Sequence, residues 1–390
     1  MSRFWKILSW SFYHLYIGEW PRADPDGRVY TAGVLARLAG TSLAGGYCGV
    51  LWVVKGDLDY LFKNLKLPNY MSANPCAFCT CTNDDANVPW KDLRVTADWF
   101  ANQWSTHAWR IAHPGCIRLF LLPWMSIWSV HADYMHCKFL GTDQYFYGSV
   151  LSELCFRVLV AASPQAALHD LVNRLKAYWR DYGVSGGFSG MKLSMFHKVG
   201  RYPKLRGKAA EIKRLGPALL HVWSEVMDVG PMVGHGVVAE RRRYHRRVKM
   251  ALSYSVAMDD IIDEHRLDYK LPLASAQRLE DSAFAFFALQ AQLQRDATQQ
   301  GLRLYDITIK NHYLAHIVVR AKDLNPRFAW CFSGEDLMKH IKIVLHSCCK
   351  GNKTYDATGK FVLKYRHGLH MVLTSPALAG SLVAHDEGVA

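Results

Sequence analysis

The chain has 390 residues, of which half are hydrophobic and 21% charged, so it has enough apolar material to bury a core and is not an intrinsically disordered polymer. Lys and Arg outnumber Asp and Glu by 47 to 33, and the net charge of +14 favours a polyanionic partner, DNA or RNA ahead of an anionic membrane. Ten scattered cysteines exclude a small secreted disulfide scaffold and point to a reducing compartment.

The opening segment, MSRFWKILSWSFYHLYIGEW, carries Lys6, His14 and Glu19 and has no small-residue cleavage site, so it reads as folded structure. The longest other apolar run, Ile117 to Val130, is interrupted by Arg118 and Pro123 and is too short to cross a bilayer, which predicts no membrane association. Gly45 to Val54 reads as a buried strand that delivers Asp57 at its end. Leu58, Leu61, Phe62 and Leu65 then recur at helical spacing up to Pro68. The Pro- and Asn-rich stretch NPCAFCTCTNDDANVP is a loop that gathers Cys76, Cys79 and Cys81.

A second apolar run precedes His131, Ala132 and Asp133, and Tyr134 to Phe156 reads as a helix interrupted near Gly141 and Gly148. Pro164 to Asp228 is mainly helical, broken at Val184 to Gly190 and Gly200 to Gly207. A helical block spans Ala239 to Ala297, and two further helices follow from Lys310. The tail after Pro376 loses its apolar pattern and is expected to fray.

Several strings in chain order resemble segments of CACTA-type cut-and-paste DNA transposases. LWVVKGDLDYL followed by SANPCAFC resembles their strand, Asp and Cys-x-x-Cys segment. HADYMHCKFLG resembles their D-x-M-H-x-x-x-L-G segment, with Asp133, His136, Leu140 and Gly141 at its recognisable positions. LRGKAAEIKRLGPALL resembles their acid-bearing helix and places Glu211 in the acidic position, and NHYLAHI with LNPRFAWCFSGEDLMKHIK resembles their late segment with two histidines and a glutamate-bearing helix. The matches span roughly residues 45 to 350.

The resemblance implies an α/β fold: an RNase H-like mixed sheet core, a large helical insertion and a zinc-knuckle-like loop. The expected division is 1–44 as an N-terminal remnant of the core, 45–160 as core with the Cys-rich loop, 161–300 as the helical insertion, 301–376 as the C-terminal helical part and 377–390 as a disordered tail. It further implies a metal-dependent DNA strand cleavage and joining site holding Mg²⁺ or Mn²⁺ on Asp57, Glu211 and Asp133, because oxygen-rich acidic ligands hold two such ions during in-line phosphoryl transfer. Nuclear or cytoplasmic localisation and a homo-oligomer accompany it.

Each acid has an ordinary alternative. Asp57 and Asp59 are placed as an N-cap and a first-turn acid, Glu211 as a surface residue paired with Lys208 or Arg214, and Asp133 with His136 as a polar anchor. In the family the acid before the cysteines is the second of the triad, and the upstream aspartates, Asp24 and Asp26, lie in a surface-turn context. An inactive relic that only binds nucleic acid or serves structurally is therefore the competing expectation.

Cys76 and Cys79 with His312 and His316 form the implied structural Zn²⁺ set, since Cys-x-x-Cys aims two thiolates at one point and His at i and i+4 share a helix face. Cys81 could replace either thiolate, and a redox pair is the alternative. Arg241, Arg242, Arg243, Arg246, Arg247 and Lys249 form the densest basic run, read as a DNA-phosphate contact or as a solvated face or import signal. Trp99, Trp104, Trp109, Trp124 and Trp128 are expected in the core.

Overall fold

A computed structural model of the chain describes residues 2–229, 239–349 and 354–374. Its elements in order are α1 (Ser2–Ile17), α2 (Gly33–Leu38), β1 (Val54–Gly56), α3 (Leu58–Leu65), α4 (Asp98–Ala101), α5 (Thr106–Ala112), β2 (Val130–Ala132), α6 (Tyr134–Cys137) and α7 (Asp143–Glu153). Then come α8 (Pro164–Asp181), α9 (Ala209–Val229), α10 (Ala239–Glu264), α11 (Leu273–Gln299), α12 (Ile309–Val319), α13 (Pro326–Ala329), α14 (Phe332–Cys349) and α15 (Thr354–Thr374). Contacts divide the chain into Met1–Trp330 and Cys331–Ala390, the second built on α14 packed against α15.

The expected RNase H-like mixed sheet is not present among the described residues. Among the described residues the sheet consists of β1 and β2 alone, paired in parallel with Val54 opposite Val130 and Gly56 opposite Ala132. The apolar run before β1 does not form the long buried strand read from its composition. Gly45 and Gly46 take φ of 61° and 92°, which breaks the extended path, and Tyr47, Val50 and Trp52 stay exposed. The fold is dominated by helices.

Its axis is the helix over residues 134–158, in which α6 and α7 are joined by a π turn at Lys138–Thr142 and continued by another at Leu154–Val158. The predicted break near Gly141 is that first π turn. No break occurs at Gly148, which is glycine for a different reason: a Cβ there would stand 2.9 Å from the Leu205 backbone nitrogen. α7 is buried almost all round, as expected of a helix enclosed by others. α9 faces it with Ile212, Leu215, Leu219, Val222 and Trp223, all fully buried at helical spacing. On α10, Val248, Leu252, Ser255, Asp259 and Ile262 form the buried stripe, which packs against α9 and α11.

Polar groups inside this helical body are matched to one another. The Lys138 Nζ, wholly buried, donates to Asp143 Oδ2 at 2.8 Å, Asp259 Oδ2 at 2.9 Å and Ser255 Oγ at 3.1 Å. Tyr134 donates to Asp259 at 3.0 Å. Burial raises the Asp143 carboxyl to about 6, Lys138 opposing and Asp259 assisting that shift. One ammonium thus serves two carboxyls, and desolvation keeps them from both ionising freely.

The helical block expected over 239–297 consists of α10 and α11, and among the described residues four helices rather than two lie from α12 onward, counting the short α13. The tail expected to fray, from 377, lies outside the described residues. Among the described residues no helix is long and apolar enough to cross a membrane.

Candidate metal centre and acidic strand ends

The Cys loop is folded on itself before it meets a helix. Asn83 donates its side-chain amide to Tyr70 O at 3.0 Å, its backbone N–H goes to Ala73 O at 2.9 Å, and Thr82 N–H goes to Val88 O at 2.9 Å. Trp104 N–H donates to Phe78 O at 3.0 Å, which ties the knuckle to the segment before α5. Cys76, Cys79 and Cys81 are all buried as a result.

Opposite them stands α12, buried along most of its length, with His312 and His316 one turn apart on the same face. One ligand atom from each of Cys76, Cys79, His312 and His316 lies within 4.8 Å of the others, so these four could hold a metal ion. The Cys79 Sγ is 3.3 Å from His312 Nε2, and the two Nε2 atoms are 3.2 Å apart. Cys81 Sγ stands slightly farther, 3.6 Å from His312 Nε2.

The surroundings orient these donors. His312 Nδ1 lies 3.2 Å from the Trp90 carbonyl oxygen, so donation there leaves Nε2 free as a ligand. Phe78 N–H donates to Cys76 Sγ at 3.3 Å. Trp99 packs its ring against both imidazoles, with centroids 4.4 and 4.8 Å away, which locks their planes and excludes water. Tyr313 donates to Pro75 O at 3.3 Å and accepts from Ala77 N–H at 3.2 Å, pinning the loop's base to the same helix.

The thiols are electrostatically unequal. Burial opposes ionisation of Cys76, but hydrogen bonds from Cys79 and Cys81 and the adjacent His316 and His312 outweigh it and pull this thiol well down. Burial and the neighbouring sulfurs push Cys79 up, and hydrogen bonding with Cys76 pushes Cys81 up. Burial lowers His316, favouring the neutral imidazole that a metal needs.

The acids implied by the resemblance fall in two places. Asp57 and Asp133 follow paired residues Gly56 and Ala132, so the parallel register brings them abreast at the ends of β1 and β2. Each caps the helix it begins: Asp57 Oδ1 accepts from Tyr60 N–H at 2.6 Å. Asp133 accepts from Met135 N–H at 3.0 Å and His136 N–H at 3.3 Å, and its Oδ2 also bonds the His136 ring. Asp133 is completely buried. Glu211 belongs to a different element, the first turn of α9, where Oε2 accepts the Lys208 backbone N–H at 2.8 Å. Its expected partner Arg214 instead reaches Gly186 O at 3.4 Å. Asp26 pairs with Lys6 at 2.6 Å, and Asp24 accepts backbone N–H groups of its own turn, as surface-turn acids do.

The basic run begins α10. Arg242, Arg243 and Arg246 are exposed, Arg247 pairs with Asp296, and Lys249 is half-buried. The Arg241 side chain lies outside the described residues. Tyr244 and His245 turn inward, Tyr244 donating to Glu153 at 2.9 Å. Trp99 and Trp109 are fully buried, whereas Trp104, Trp124 and Trp128 are partly covered.

A further basic segment lies between α8 and α9. Between Asp181 and Glu211 the chain has no acid and six Lys or Arg residues: Lys192, Lys198, Arg201, Lys204, Arg206 and Lys208. The helix expected between the breaks at 184–190 and 200–207 does not form, and the missing acids are the signal that marks this stretch.

Comparison with protein-family models, with curated proteins and with solved structures finds no match to this chain.

Proposed function

We propose that the chain is a transposon-derived DNA-binding protein whose fold is stapled by one structural zinc ion. The observation that carries the DNA reading is the exposed arginine face of α10, Arg242, Arg243 and Arg246, on a chain of net charge +14. Guanidinium groups held outward on a packed helix neutralise phosphates and release counterions.

The metal reading rests on donor type and spacing. Zn–N bonds of about 2.0–2.1 Å and Zn–S bonds of about 2.3 Å in a tetrahedron give N···N edges of about 3.3 Å and S···N edges of about 3.5 Å. The corresponding separations here are 3.2 and 3.3 Å. Two thiolates and two imidazoles suit Zn²⁺ and not Mg²⁺ or Mn²⁺, which take oxygen. With four protein ligands the ion would have no open position, so its role is to hold the Cys loop on α12.

Catalysis by Mg²⁺ or Mn²⁺ is supported less well. The side-by-side strand ends favour a two-carboxylate site, but the residues fit a hydrated divalent ion poorly. Asp133 has no exposed surface and spends both oxygens on His136 and the α6 backbone, while Glu211 is engaged at α9.

The test is fluorescence anisotropy with a labelled 30-base-pair duplex over a NaCl series. The expected result is binding that weakens steeply with salt. No binding at low salt, or affinity indifferent to salt, overturns the DNA reading. Strand cleavage in Mn²⁺ that disappears in Asp57→Ala would overturn the non-catalytic form of it.

A further inference from the structure

The acid-free loop over residues 192–208 is tied down by backbone hydrogen bonds. It doubles back on itself, with Lys204 N–H donating to Phe196 O at 3.1 Å and Arg206 N–H to Met195 O at 2.8 Å. It is clamped to the central helix by Leu205 N–H donating to Gln144 O at 2.8 Å, over the bare backbone of Gly148. Phe196, Pro203 and Leu205 are buried beneath it. The apolar residues therefore anchor the loop, and the alternating cations, Lys198, Arg201, Lys204 and Arg206, stay exposed.

Two depressions flank this loop. One, of about 330 Å³, is lined by Lys198, Arg201, Lys204 and Arg206 together with Tyr145 and Tyr202, and Asp306 is the one acid in its wall. The other, of about 460 Å³, shares Lys198 and Arg201 and adds Arg157, His197 and Arg303. Arg157 there is neutralised by Glu153, 3.5 Å away, and hydrogen-bonds Gln300. None of the four loop cations forms a salt bridge among the described residues, although Lys204 lies over the Tyr145 ring at 5.2 Å. Four like charges held in one wall repel each other and attract an anion with several charges in a row.

We propose that this two-lobed groove is the main seat of the DNA phosphodiester backbone, with Lys198 and Arg201 at the shared ridge and Lys204 and Arg206 in the smaller lobe. The proposal rests on the DNA-binding reading and deepens it. A linear polyanion fits better than a lone phosphate, because the cations are spread over both lobes instead of converging on one point. The contacts are to backbone charge, so the groove contributes affinity and register without reading base sequence.

The experiment uses the full chain and the same labelled duplex. Each phosphate contact contributes roughly −0.9 to the slope of log affinity against log salt. Lys198→Gln, Arg201→Gln, Lys204→Gln and Arg206→Gln combined should flatten that slope by about 3 to 4 and weaken low-salt binding at least a hundredfold. Asp306→Asn alone should tighten binding severalfold, a gain that a misfolded protein cannot produce. Arg242→Gln, Arg243→Gln and Arg246→Gln combined should have a smaller effect than the loop variant. If the wild type binds DNA but the loop variant binds equally well with an unchanged slope, the groove assignment is overturned and the DNA reading survives. If the wild type does not bind, the DNA reading itself fails. Loss of inorganic phosphate binding in the loop variant with unchanged DNA affinity also overturns the groove assignment, in favour of a small phosphorylated ligand.

Discussion

Replacing Cys79 by Ala removes a fully buried thiol that stands 3.3 Å from His312 Nε2, and with it one vertex of the tetrahedron. An ion present at about a thousand times its dissociation constant stabilises the folded state by about 4 kcal/mol, and three remaining ligands would forfeit most of that. The unit that contains the site runs from Met1 to Trp330. At about 2.1 cal/mol/K per residue, its unfolding entropy is roughly 0.7 kcal/mol/K, so the melting temperature should fall by about 6 °C. Scanning calorimetry of both proteins, with and without a strong chelator, measures this. The wild type should contain one zinc per chain and show two sulfur and two nitrogen neighbours by X-ray absorption, and chelation should bring its melting point down to that of Cys79→Ala. A wild type that lacks zinc after growth in zinc-supplemented medium, or that melts at the same temperature in chelator, would refute the metal assignment.

Lys138→Met should cost about 3–5 kcal/mol by urea denaturation, because it leaves Asp143 and Asp259 buried without their ammonium. The carboxyl of Asp143 sits at about 6 against an ordinary 3.8, so its contribution is present below about pH 4 and is lost as pH rises to about 6. Asp259→Asn removes the second charge and should flatten that part of the stability profile relative to wild type; an unchanged slope would refute this account. Gly148→Ala forces a Cβ against the Leu205 and Lys204 backbone nitrogens, at 2.9 and 3.1 Å, and should destabilise by about 1–3 kcal/mol while loosening the 192–208 loop, seen as faster amide exchange there. Asp133→Ala should cost more than Asp57→Ala, whose single cap bond is worth about 1 kcal/mol; equal losses in urea titrations would contradict the capping assignment.

Local patterns in the sequence carried through where the responsible interactions are themselves local. The acid-then-helix junctions at Asp57 and Asp133 were legible because a cap and an amphipathic turn need only neighbours in the chain, whereas the strand expected at Gly45 to Val54 was not formed there. The ligand spacings of Cys76 with Cys79 and His312 with His316 were legible for the same reason, and their meeting across more than two hundred residues was implied by the resemblance. The expected sheet does not follow from the apolar run near Gly45 and Gly46, because such a run looks the same whether or not neighbours exist to pair with it. On α10 the run of arginines marked a helix but not which of its sides is spent inward. Arg247 reaches Asp296, and Tyr244 reaches Glu153, through contacts invisible in any short window. Only Gly200 to Gly207 of the 192–208 loop reads as a break and the residues before it as helix, since the loop's anchoring over Gly148 depends on a residue far away in sequence.

The two strand-end acids have counter-charges supplied by the protein. Each carboxylate faces the positive N-terminus of the helix it starts, and Asp133 has the His136 ring as well. Lys310, from the start of α12, crosses over Gly141, where a Cβ would come within 2.6 Å of its side chain, and donates to Leu140 O at 2.6 Å. Burial lowers this ammonium, while Asp57 and Asp133 are near enough to act the other way. Lys310 thus places a cationic group near the two strand ends while its hydrogen bond goes to Leu140 O. α12 therefore borders both places: Lys310 lies near the strand ends, and His312 and His316, two and six residues further on, face the Cys loop. These three groups lie within seven residues of one helix, so Lys310→Met is expected to weaken zinc binding as read by chelator competition, and an unchanged affinity would refute the link.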